Sequence, residues 1–287
     1  MFPLMAQNLS EGNSLLDEGR YIQALKFYEE ILETNPDNTE VLNGIARANR
    51  LAGDSMTATQ FYQKSITVNL NQPEVWMNIG NILYHQKSFP EAASSYQKAV
   101  TLDPRNPLAH NNLASVFKEQ GIVNKAIYHF EKAFEFDPAY GLACRNLGDI
   151  YLNSGRPEKA KHWLKIAIKI DPENLYGHYW LGKAYYQFLE FEKARDQYFH
   201  VLSKEPNLPS VHHDLGLAFF GMRQYSLAIH HVKQAIRGVR TNPFYYISLS
   251  KIHAGLQDVS TALAILDSAL SFNRKLPEIW FAKGDLH

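Results

Sequence analysis

The chain has 287 residues, with 29 Lys+Arg balanced by 29 Asp+Glu and a single cysteine. Zero formal charge without a Lys/Arg-rich run argues against a chain-wide basic footprint for nucleic acid, and one cysteine excludes an intramolecular disulfide framework or an all-cysteine zinc site. No apolar run nears the roughly 18 residues of a membrane span and Met-Phe-Pro-Leu-Met at the N-terminus is no signal peptide, so the expectation is a folded, cytoplasmic protein with no membrane span and no nucleic-acid partner.

Along the chain one period governs everything. Turn prolines Pro36, Pro104, Pro138, Pro172 and Pro206 are spaced by 68, 34, 34 and 34 residues. Stepping by 34 from Ala24 gives Ala58, Ala92, Ala126, Ala160, Ala194, Ala228 and Ala262, alanine at all eight positions. A second ladder (Gly12, Ala46, Gly80, Ala114, Gly148, Gly182, Gly216, Ser250, Gly284) is always small. A fixed period of this length marks a repeat architecture. Eight units begin near residues 5, 39, 73, 107, 141, 175, 209 and 243, with a partial unit at 277–287.

Each unit reads as two helices. In Pro73–Asn106 the apolar positions Val75, Trp76, Ile79, Ile82 and Leu83 recur at helical spacing. A break at Gln86-Lys87-Ser88-Phe89-Pro90 precedes a second stripe of Ala92, Ala93, Tyr96, Ala99, Val100 and Leu102, and Asp103-Pro104 ends the unit. Gly80 and Ala92 let the two backbones approach, and aromatics such as Tyr96 are expected to fill the space to the next repeat. The turn proline is replaced by Leu70, Arg240 and Arg274 in the second, seventh and eighth units, each time with a proline (Pro73, Pro243, Pro277) opening the following helix.

Trp76, Ile79, Gly80, Leu83, Ala92, Tyr96, Ala99 and Pro104 resemble the tetratricopeptide repeat (TPR) signature. Leu147, Gly148, Tyr151, Ala160, Ala167 and Pro172 match it in the fifth unit; Leu181, Gly182, Tyr185, Ala194, Tyr198 and Pro206 match it in the sixth. The resemblance implies an all-α, right-handed solenoid over residues 1–287, a single domain of about eight and a third helix-turn-helix units. The signature tryptophan position is variable: Asn8, Leu42, His110, Cys144, His178, His212 and Tyr246 occupy it. The final cluster Ile279, Trp280, Phe281 suggests that the chain is truncated, continues, or docks on something there.

No catalytic constellation stands out. Gly177 to Lys183 has phosphate-loop spacing, but Ala184 replaces the magnesium-binding hydroxyl and the segment is helical. The adjacent pairs His212-His213 and His230-His231 point about 100° apart on a helix, poorly placed to share a metal ion. His110, His178 and His212 are expected to pack between helices, and Cys144 to be a buried inert thiol. No enzyme activity, cofactor or metal is expected.

What the resemblance does imply is a groove lined by the first helices, through unit positions 2, 5, 6, 9, 12 and 13. Position 6 places Asn78, Asn112 and Asn146 in register, then Trp180, Asp214 and Ser248. The asparagines partly resemble the ladder in the TPR array of O-linked N-acetylglucosamine transferase, where amides, both donors and acceptors, grip a peptide backbone. In the sixth unit Tyr176, Tyr179, Trp180 and Tyr186 fall on groove positions, with Arg145, Lys183, His213, Leu217 and Phe220 beside them, an aromatic and cationic set typical of interface hot spots. The clamp that other TPR domains use for chaperone carboxy-termini is incomplete, since Leu9 and Gly44 occupy two of its positions. The expected function is a non-enzymatic scaffold binding a protein or extended peptide; the alternative is the substrate-recruiting region of a larger enzyme such as an O-linked glycosyltransferase. Residues 1–72 carry 5 basic against 9 acidic side chains and residues 209–287 carry 8 against 5, an axis that favours self-association through the ends.

Overall fold

The computed structural model describes residues 2–272 and 276–286, with side chains from Leu9 onward; the Asn8 side chain and Arg274 lie outside the described residues. Among these residues there are seventeen helices and no strand, an all-α solenoid of helix pairs. The chain divides into two compact units, Met1–Pro138 and Ala139–His287. The first holds α1 (Phe2–Asp17), α2 (Tyr21–Thr34), α3 (Thr39–Leu51), α4 (Ser55–Val68), α5 (Pro73–His85), α6 (Phe89–Leu102), α7 (Pro107–Glu119) and α8 (Val123–Phe136). In the second are α9 (Gly141–Asn153), α10 (Pro157–Ile170), α11 (Leu175–Gln187), α12 (Phe191–Lys204), α13 (Pro209–Gly221), α14 (Tyr225–Gly238), α15 (Pro243–Gly255), α16 (Val259–Leu270) and α17 (Pro277–Gly284).

Helix starts follow the 34-residue register, and local chemistry explains them. Asn38, Asn106, Asn174 and Asn242 precede first helices, each accepting backbone N–H bonds from the opening turn. Second helices α4 and α16 are capped likewise by Asp54 and Asp258. The break expected through Pro90 is shorter than the sequence suggests. Helix α6 starts at Phe89 with Pro90 in its first turn, where the missing N–H costs nothing. Within each pair the turn needs one left-handed residue. Gly19, Gly53, Gly121 and Gly155 supply it in four units, but Lys87, Leu189, Arg223 and Gln257 adopt φ of 57–61° in the others.

The alanine ladder lies on the buried face of the second helices, and all eight alanines are fully buried. Opposite it, the glycine ladder accepts a large side chain of the same unit. A Cβ on Gly80 would meet the Tyr96 ring at 2.6 Å, one on Gly148 the Leu164 side chain at 2.4 Å, and one on Gly182 the Tyr198 ring at 2.5 Å. Tyr96 therefore stands on Gly80 of its own repeat while packing in one cluster with Ala109, Leu113 and Val116 of the next. Close packing of this kind fixes the pair as a rigid block.

A recurring hydrogen bond ties successive pairs. At the variable tryptophan position Trp76 Nε1 donates to the Leu70 carbonyl at 3.3 Å, and Tyr246 Oη to the Arg240 carbonyl at 3.0 Å. His110, His178 and His212 place Nε2 at 3.1, 3.0 and 2.9 Å from the carbonyls of Pro104, Pro172 and Pro206. A carbonyl only accepts, so each imidazole carries a proton on Nε2 and turns its Nδ1 to the other side, where that of His178 meets Gln197 Oε1 at 2.7 Å. In two units that Nδ1 meets a second histidine: His110 and His129 lie 2.9 Å apart, His212 and His231 3.1 Å. Phe117 and Phe219 stack on the second ring. Burial, then the neighbouring imidazole, pushes His129 and His231 down to about 4.

Candidate functional site

The register that buries the ladders leaves a defined set of first-helix side chains outside the core. Helix α11 brings Tyr176, Tyr179, Trp180, Lys183 and Tyr186 to one side, and α13 adds His213 and Asp214. Asp214 is the hub. Its Oδ2 accepts from Tyr179 Oη at 2.9 Å, its Oδ1 lies 3.2 Å from His213 Nδ1, and Lys183 Nζ stands 3.9 Å away. His213 is fixed on its far side by Ser248 Oγ at 2.8 Å and by the Tyr245 ring at 4.8 Å. Burial and the Asp214 carboxylate both raise the Tyr179 phenol, which therefore stays a proton donor to that carboxylate.

The cations lie against rings. Lys183 Nζ is 5.1 Å from the Trp180 ring and 5.5 Å from that of Tyr179, and the Arg145 guanidinium on α9 lies 5.0 Å over Tyr176. Tyr176 is 58% exposed, a large aromatic left in solvent. The Trp180 indole N–H is buried without an acceptor.

Other expected residues are placed differently. Tyr186 packs at 5.5 Å on Phe191 of its own unit, and Phe220 at 5.9 Å on Tyr225, so part of each ring serves the turn. Asn78, Asn112 and Asn146 are half-buried on α5, α7 and α9. Asn112 turns its amide inward, donating to Asn81 Oδ1 at 3.3 Å, and the same oxygen accepts from Tyr96 Oη at 2.6 Å. Below Lys183 a cavity of about 240 Å³ opens, lined by Lys183, Tyr186, Gln187, Tyr198, Asp214 and Leu217. Tyr198 and Gln187 were not among the residues expected here; the signal was Lys183 itself, a lysine at the position that holds Asn13 and Asn81 in other units.

Cys144 is fully buried and its thiol is pushed up to about 12 by that burial, far from a thiolate. Among the described residues no group of three or more His, Cys, Asp or Glu side chains is placed to hold a metal ion, and no helix is long and apolar enough to cross a membrane.

Two family models match the sequence. One, described as TPR repeat, covers residues 80–121 and 148–187; the other, described as tetratricopeptide repeat, covers residues 15–82. No curated protein matches in sequence. Among solved structures, the fold is similar to a chain of the APC/C hetero-tetramer Cut9–Hcn1, at 17% identity and a TM-score of 0.66. That match covers 97% of this chain but 55% of the other, so the present chain spans about half its length. A tetratricopeptide repeat protein from Parabacteroides merdae matches at 16% identity and a TM-score of 0.63, over 90% of this chain and 98% of its own. YrrB, described as a TPR protein with an unusual peptide-binding site, matches at 19% identity and a TM-score of 0.56, over 64% and 95% of the respective chains.

Proposed function

Because the chain belongs to the tetratricopeptide repeat family, we propose that it is a non-enzymatic scaffold binding an extended peptide or partner protein along its first helices. The observation that carries this reading is the aromatic face of α11. Tyr176 stands 58% exposed, Trp180 holds an unpaired buried indole N–H, and Arg145 and Lys183 sit over the rings. Aromatic anchors flanked by cations supply much binding free energy at low cost in side-chain entropy. Rigid support from Asp214, His213 and Ser248 holds Tyr179 in place before a partner arrives. The asparagines belong to the same reading through their common position, half-buried on successive first helices, with the Asn112 amide bonded to Asn81.

The test is capture of partners on the immobilised protein, compared with Tyr179→Ala plus Trp180→Ala. Loss of both rings removes two anchors, each worth about 1–2 kcal/mol or more, so retention of a bound partner should fall by at least tenfold. Circular dichroism checks that the variant remains helical. Unchanged capture by a folded double variant means that the site lies elsewhere.

A further inference from the structure

Three positions of the repeat meet at one point: the large residue of the second helix that stands on the glycine ladder, the residue just after that glycine, and position 6 of the next unit. In α5, α6 and α7 these are Tyr96, Asn81 and Asn112. They close on each other, with Asn81 Oδ1 accepting from Tyr96 Oη at 2.6 Å and from Asn112 Nδ2 at 3.3 Å. Tyr28 likewise donates to Asn13 Oδ1 at 3.1 Å, and with Gly44 at the third position the second donor there is Arg47 Nη1 at 3.3 Å.

In α11, α12 and α13 the equivalent trio is Tyr198, Lys183 and Asp214. It does not close. A lysine ammonium has no lone pair, so Tyr198 cannot donate to it as Tyr96 does to Asn81. Lys183 and Asp214 stay 3.9 Å apart, and the carboxylate is already held by Tyr179 and His213. The space between the three is the cavity of about 240 Å³, walled on its apolar side by Tyr186 and Leu217.

We infer that this cavity is a subsite for a carboxamide side chain, glutamine or asparagine, of an extended peptide. The inference rests on the groove reading above and specifies its ligand. The missing group is the one that Asn81 supplies internally: an amide oxygen facing Tyr198 and Lys183, both donors. An amide also carries an N–H₂ that donates to Asp214, which replaces the donor Asn112 by an acceptor. A carboxylate would satisfy Lys183 but face Asp214, and an ammonium would face Lys183; a neutral amide meets all three groups without repulsion. The methylenes of glutamine fit between the Tyr186 and Leu217 side chains.

The experiment selects phage-displayed random 12-residue peptides on the intact chain, then replaces each position of the enriched peptides singly. Peptides carrying Gln or Asn at one position, weakened roughly fivefold by Ala, Glu or Leu there, support the subsite. Lys183→Asn with Asp214→Asn rebuilds the closed trio and should abolish that preference. Tyr198→Phe keeps the ring on Gly182 and removes only the hydroxyl; it should weaken the Gln peptide while leaving its Ala counterpart unchanged. Peptides without a carboxamide preference, or with one that survives both sets of substitutions, overturn the subsite and leave the groove standing. If no peptide is selected, or if selected peptides bind the Tyr179→Ala, Trp180→Ala variant equally, the groove reading falls and the subsite with it.

Discussion

The left-handed turn residue allows a reciprocal experiment on the backbone alone. Leu189 has φ of 57° and a side chain 72% exposed, so it contributes little packing; Gly155 occupies the same register at φ of 70°, and a Cβ there would meet nothing within 4 Å. A left-handed conformation costs an L-residue about 1–2 kcal/mol, while glycine loses about 0.5–1 kcal/mol of extra chain entropy on folding. The difference leaves Leu189→Gly stabilising by about 0.5–1 kcal/mol and Gly155→Leu destabilising by about the same. Neither substitution opens a cavity or removes a hydrogen-bonding side chain, so opposite signs can arise only from φ. Guanidinium denaturation followed by circular dichroism reads both shifts as changes in midpoint at constant slope. If both variants move the midpoint in one direction, or Leu189→Gly lowers it, the turn is not strained and the argument fails.

The histidine pairs predict acid sensitivity. His129 and His231 are held near 4 in the fold and return to about 6.5 when unfolded, so the unfolded chain binds more protons and stability falls as pH drops from about 6.5 to 4. Each pair should contribute on the order of 2 kcal/mol of that loss, and His129→Gln, copying the Gln197 partner of His178, should flatten the curve measured by denaturation at pH 7 and 4.5. Ala160→Leu forces three carbons into a fully buried helix contact and should cost about 1–3 kcal/mol; a loss below about 0.5 kcal/mol would mean that the helix pair can part without penalty. Cys144 should resist a thiol reagent at pH 8 in the native chain and react at once in denaturant, and rapid native labelling would contradict its burial.

Periodicity carried most of the fold because an invariant alanine and an always small residue mark the helix contacts directly, each at one spacing. The turn was harder to read, since half of the left-handed positions hold Lys87, Leu189, Arg223 or Gln257, residues with no turn signature. Histidine chemistry was legible in place and illegible in partnership. The adjacent His212-His213 and His230-His231 draw the eye, yet the contact runs from His212 to His231, nineteen residues apart on two helices. Tyr198 shows the same limit: it matches a signature packing position, and nothing in its own letter tells that the residue opposite cannot accept its proton.

The tie at the tryptophan position separates what a repeat must do from how it is spelled. Its acceptor is a backbone carbonyl, which every residue carries, so Pro104, Leu70 and Arg240 serve equally. The donor needs only an N–H or O–H at the right reach, and tryptophan, histidine and tyrosine all provide one. Such a position drifts among these three letters while its task is kept, and gives the task up at Leu42, whose side chain has no donor. A fold shared at 16–17% identity is what such spelling freedom permits.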